Sequence, residues 1–279
     1  MRRVWRVFAT YVAAVAGIFA ASGVAVVTLK SIFPDTPDEA LLQSLPALIA
    51  GSLASSFALI FTLLAIVQPP TPAALRLAPG WETGRALAVM AVGMLALGQA
   101  LDSLTWLTGL GQLGAMVVVR RVLEGAVGPD LFSAVVVFGP IAGAAEELFF
   151  RGYMQTRLAQ RLPRGAAVFV TGLCFGAFHM DWLHGLLAMI LGFYLGWITE
   201  LAGSALPAVV CHVVNNTLFT ILTASWGPID GLRLNLALGA AGLVVFAAVV
   251  LCLRASLAAP AESGWIARAA SRVWKRLRE

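Results

Sequence analysis

Apolar positions along this chain come in long unbroken runs, without the alternation of a half-buried strand or the narrow stripe of a surface helix. Eight runs can be drawn, over residues 7–29, 44–67, 86–109, 131–156, 165–181, 184–202, 204–224 and 232–253. A helix rises about 1.5 Å per residue and a hydrocarbon core is about 30 Å thick, so each run of about 20 apolar residues predicts a membrane-crossing helix. Breakers fall between the runs: the Pro34/Pro37 loop, the Pro69-Pro70-Thr71-Pro72 linker, Pro163 with Gly165, Gly203, and Gly227-Pro228. The pattern predicts an all-α fold, a polytopic membrane helical bundle of about eight transmembrane helices. It divides into N-terminal helices over 1–125, a core over 126–226, and a last span with a basic tail over 227–279.

Composition supports lipid as the main solvent: 60% of residues are hydrophobic and 12% charged, where a soluble domain carries roughly a quarter charged. The net charge of +5 does not indicate nucleic acid, because the basic residues lie between spans and at the two ends. Placing the N-terminus in the cytoplasm collects most of the 19 lysines and arginines, Arg151 included, on the inner side and leaves Lys30, Arg120, Arg121 and Arg233 opposite. The positive-inside rule then predicts an even number of spans with both termini cytoplasmic. The basic start resembles a signal peptide, but its apolar stretch is about twice the usual 7–15 residues, which predicts an uncleaved helix. Ala-, Arg- and Gly-rich usage suits a GC-rich bacterial genome and hence a bacterial cytoplasmic membrane. Cys174, Cys211 and Cys252 all lie in apolar segments and read as small hydrophobes. In the tail, Trp265, Ile266, Ala269, Val273 and Trp274 share one helical face opposite Arg268, Arg272, Lys275 and Arg278. That predicts an interfacial C-terminal helix on anionic lipid.

An ionisable side chain inside a span costs about 2.5–3.5 kcal/mol, so each one needs a partner or a function. The fourth run carries Ala144-Ala145-Glu146-Glu147-Leu148-Phe149-Phe150-Arg151. Glu147 and Arg151 are one turn apart in the favourable order for an ion pair. Glu146 points about 100° away and lacks that partner, which suits a general base or acid acting on water. The fifth run ends Phe175-Gly176-Ala177-Phe178-His179, and the seventh places His212 and Asn216 four apart on one face. Counted from the cytoplasmic loops, Glu146, His179 and Asn216 all come out near 20 Å deep, with His212 about one turn shallower. One mid-membrane cavity could therefore gather a carboxylate, two imidazoles and an amide. Asp102 reads as a bonded residue facing the bundle, and Asp181 with His184 as a solvated turn. Cys211 points about 100° away from His212 and is discounted as a nucleophile.

Glu146-Glu147-x-x-x-Arg151, Phe175-x-x-x-His179 and His212-x-x-x-Asn216, in that order, resemble the three motifs of the CAAX prenyl endopeptidase and bacteriocin-processing (CPBP, Abi) family of intramembrane peptidases. The resemblance covers roughly residues 130–225. It implies that Glu146 and His179 activate the attacking water, that His212 and Asn216 stabilise an oxyanion, and that Glu147 and Arg151 support them. It also implies a peptide or lipidated-protein substrate reaching the site from the membrane lipid bilayer: a prenylated C-terminus, or a leader or bacteriocin-type peptide. The family has been called a metalloprotease. A zinc ion would be held by Glu146, His179 and His212, an acceptable ligand set, while the same residues would also serve a metal-free, glutamate-dependent hydrolase. Two other classes use the same residues: a proton- or ion-coupled transporter, which the absence of repeated halves disfavours, and a non-proteolytic scaffold of the same fold.

Overall fold

The structure, a computed structural model, describes residues 2–258 except residues 81 and 83; the helix expected in the tail lies outside the described residues. Eight long helices carry the chain: α1 (Arg2–Ile32), α2 (Leu45–Ile66), α3 (Gly84–Leu107), α4 (Gly128–Ala159), α5 (Arg164–Phe178), α6 (Trp182–Ala202), α7 (Leu206–Trp226) and α8 (Leu232–Ala258). No strand occurs among the described residues. Every apolar run has its helix. Seven of the eight are long and apolar enough to cross a membrane. The exception is α5, whose 15 residues extend only about 22 Å.

The reason α5 stops early lies in the turn that follows it. Met180 takes a φ of 53°, outside the right-handed helical region, and Asp181 then accepts the His184 N–H at 2.8 Å as the cap of α6. The Asp181 carboxylate also accepts the Ala115 N–H at 3.0 Å. This turn is therefore tied down at both helix starts, while Met180 and Trp182 on it stay exposed, as a solvated turn would have them. A short helix over Ala115–Leu123 was not expected either. It carries Arg120 and Arg121, and Arg120 is ion-paired with Asp102 of α3, which explains both the basic residue on this side and the bonded Asp102.

Packing falls into two apolar clusters. One joins α1, α2, α4 and α5 around Leu59, Phe149, Phe150, Met154 and Phe175. The other joins α3, α6, α7 and α8 around Met94, Tyr194, Leu195 and Cys211. Between helices the approach depends on small residues, the usual device where lipid removes the hydrophobic drive for association. A Cβ on Gly176 would stand 2.6 Å from the Gly185 carbonyl, so α5 and α6 meet backbone to backbone just before His179. Gly143 and Gly139 likewise face Val213 and Thr217, which seats α7 directly against α4.

Within α4 the hydrogen-bond pattern changes twice, to π-helix over Val137–Ala142 and again over Leu148–Gln155, leaving a short α-helical stretch at Gly143–Glu147. Pro140 lies in the first π segment, and the Thr156 hydroxyl donates to the Arg151 carbonyl at 2.9 Å in the second. Such widened turns are frequent at functional sites because they re-aim side chains. Here they bracket the two adjacent glutamates.

Candidate active site

The site forms where α4, α5, α6 and α7 meet, between the two apolar clusters. Its base is the Glu147–Arg151 pair, with Arg151 Nη1 donating to Glu147 Oε1 at 2.7 Å and both side chains fully buried. Arg151 Nη2 donates to the Gly192 carbonyl at 2.9 Å, and its guanidinium lies 4.4 Å from the centre of the Phe175 ring, an arrangement that favours a cation over an aromatic face. Arg151 is thus held inside the bundle by groups from three helices. It does not belong with the cytoplasmic basic residues among which its sequence position had placed it.

Glu147 Oε1 also meets His212 Nδ1 at 2.7 Å. With Glu147 ionised, that imidazole nitrogen carries the proton and donates, which turns His212 Nε2 towards Glu146. The distance from His212 Nε2 to Glu146 Oε2 is 3.9 Å, too long for a direct hydrogen bond. Glu146 Oε2 is buried and has no hydrogen-bond partner among the described residues, as is Glu147 Oε2. Two carboxylates against one guanidinium leave one negative charge in this cluster, and a single proton on Glu146 or His212 neutralises it. Burial makes such neutrality important, because charge interactions strengthen as the local dielectric falls.

His179 closes α5 as its C-cap residue. Its Nδ1 lies 2.8 Å from the Phe175 carbonyl, so Nδ1–H donates and Nε2 keeps its lone pair. The Phe175 ring lies edge-on to both imidazoles, with centroids 5.0 Å from His179 and 5.9 Å from His212. His184 stacks edge-on against His179 with ring centroids 4.3 Å apart.

Asn216 sits one turn beyond His212. Its Nδ2 donates to the Phe138 carbonyl at 3.1 Å and its Oδ1 receives Asn215 Nδ2 at 3.3 Å. Among the sequence-selected residues the structure therefore brings Glu146, Glu147, Arg151 and His212 into one cluster. His179 joins it across Phe175, and Asn216 is drawn towards the first π segment of α4. His212 of α7 meets Glu147 of α4 directly.

Three residues that help shape this site were given no role in it from the sequence. Gly192 contributes a carbonyl and the space for Arg151, since a Cβ there would stand 2.9 Å from the Phe175 ring and 3.1 Å from Arg151 Nη2. Nothing in Leu191-Gly192-Phe193 marks this. Phe175 was visible as the residue one turn before His179, and its part as a spacer between imidazoles follows only from the packing. His184 was hidden by its place beside a turn.

The family comparison adds the deciding observation, because residues 128–218 match the family model of type II CAAX prenyl endopeptidase Rce1-like proteins. Over these residues the chain is similar to an Rce1-like domain. The matched segment begins with α4 and ends inside α7, so it contains every residue of the cluster while leaving out α1–α3 and α8. No curated protein and no solved structure matches the chain. The Rce1-like family is a protease family, and the matched segment lies in an integral membrane protein of the polytopic helical class. The suggested zinc ligands fit poorly. Among the described residues no three His, Cys, Asp or Glu side chains are gathered closely enough to hold a metal.

Proposed function

We propose that this chain is an intramembrane endopeptidase that hydrolyses a peptide bond of a membrane-associated substrate with a water activated by Glu146 and His179. The observation that carries the reading is the buried, unpartnered Glu146 Oε2, 3.9 Å from a His212 Nε2 whose ring is held by Glu147. A water between them would be within reach of both groups. With the cluster's one extra proton on His212 Nε2, Glu146 takes the water's proton, the hydroxide attacks the scissile carbonyl, and the tetrahedral oxyanion is stabilised by His212 Nε2–H and by Asn216 once its amide leaves the Phe138 carbonyl. Glu146 then returns the proton to the departing amine, so the carboxylate ends as it began. His179 Nε2 orients the water. Glu147 and Arg151 touch no reacting atom in this scheme and serve to position His212.

The substrate is a chain that reaches the site through lipid, either a prenylated C-terminus or a leader or bacteriocin-type peptide. Cleavage of a peptide library by purified protein in liposomes, compared with Glu146→Ala, tests the reading. Turnover that persists in the variant overturns it. The donor geometry favours the metal-free scheme, so active protein is expected to contain no stoichiometric zinc and to survive chelation. One zinc per chain, with activity lost on its removal and restored on its return, would reverse this.

Both termini are assigned to the cytoplasm. Reporter fusions after residues 35 and 230 are expected to read outside, and those after 164 and 279 inside. The short α5 does not change this parity, because α5 and α6 form a hairpin that returns the chain to the side it left. An external C-terminus in the fusion series would refute the assignment.

A further inference from the structure

Where α1 begins and α4 ends, a cavity of about 630 Å³ opens between the helices, lined by Arg6 of α1 and by Arg157 and Arg161 at the end of α4. Thr10 and Tyr153 form its polar floor, the Tyr153 hydroxyl donating to Thr10 Oγ1 at 3.1 Å. Among the described residues none of the three guanidiniums meets a carboxylate, whereas Arg76, Arg120, Arg151 and Arg164 each do. Arg157 and Arg161 are one turn apart, a like-charge spacing that is itself unfavourable. We propose that this cavity is a binding site for the phosphate headgroup of an anionic membrane lipid.

The chemistry of the wall supports a phosphate, since guanidinium forks bind phosphate oxygens in pairs and tolerate partial burial better than ammonium groups. Its position supports a lipid over a free ion. The three arginines stand at the ends of membrane helices, the level of a headgroup, and Trp5 beside them is 58% exposed, as aromatic residues at a membrane interface are. The same wall also carries apolar Val7, Ala13 and Ile66, and beside it on α1 the ring of Phe8 is exposed. A soluble phosphate would gain nothing from those apolar groups, while acyl chains would lie against them. With the N-terminus cytoplasmic, the site faces the inner leaflet, where basic pockets between helices select anionic lipid. The inference does not depend on the peptidase reading.

The test uses the purified full-length chain, delipidated in a neutral detergent and titrated with acyl-labelled phosphatidylglycerol, with identically labelled phosphatidylcholine in a parallel arm. Saturable binding of phosphatidylglycerol is expected, with phosphatidylcholine binding weaker by about tenfold or more. Arg157→Gln/Arg161→Gln should lose a similar factor, while Arg254→Gln, elsewhere on the surface, should bind as wild type does. Equal binding of the two lipids, or undiminished binding by the double variant, overturns the proposal. Displacement by inorganic phosphate at matched concentration would make this a free-phosphate site and overturn the lipid assignment. If the double variant does not fold, Arg6→Gln and the wild-type headgroup comparison decide.

Discussion

Glu146→Gln is expected to lower peptide cleavage about 10²–10⁴-fold, the usual loss when a positioned acid–base group is removed, while thermal unfolding in detergent stays close to wild type. The two halves of this expectation have separate causes. Glu146 Oε2 accepts no hydrogen bond from any described residue, so an amide of the same shape breaks no protein contact. What it removes is the charge and the ability to hold a proton near His212. A variant that keeps wild-type turnover would show that Glu146 is not the base. A variant that loses turnover together with its fold would show that Glu146 is a structural carboxylate, and the division between the two glutamates would fall.

How far such residues were visible in the sequence depends on the kind of information each one needs. The helices were visible because lipid demands long apolar runs, and eight runs became eight helices. The Glu147–Arg151 pair was visible for a local reason: residues four apart on a helix meet whatever surrounds them. Errors begin where position depends on distant chain. The turn before α7 is one such place. Arg76, itself at a φ of 55°, holds that turn through its carbonyl, which accepts the Ala205 N–H at 2.8 Å, and its guanidinium pairs with Glu200 at 2.6 Å. This buries Ser204 and Ala205 at the start of α7. The π segments of α4 leave no sequence signature beyond Pro140. Asp181 and His184 do lie at a turn, but the contact of His184 with His179 follows only from the packing.

The largest stability effect is expected at the other glutamate. Glu147→Gln should destabilise the protein by about 3–5 kcal/mol, the cost of removing one partner from a buried ion pair, seen as earlier thermal unfolding and lower yield. Arg151 is fully buried, and without the carboxylate its charge is left with the Gly192 carbonyl and the Phe175 face. The penalty comes from that stranded charge more than from the lost bond, so removing both partners should be milder than removing one. Glu147→Gln/Arg151→Met is therefore expected to unfold later than Glu147→Gln alone, with the Met side chain filling part of the guanidinium's space. Cleavage should not recover in parallel, because His212 Nδ1 has lost the carboxylate that orients its ring. Stability and activity thus separate in the double variant, which distinguishes a positioning role from a merely structural one. If Glu147→Gln and Glu146→Gln instead lost turnover equally and unfolded like wild type, the buried pair would not be an anchor, and the two carboxylates would have to share the chemistry between them.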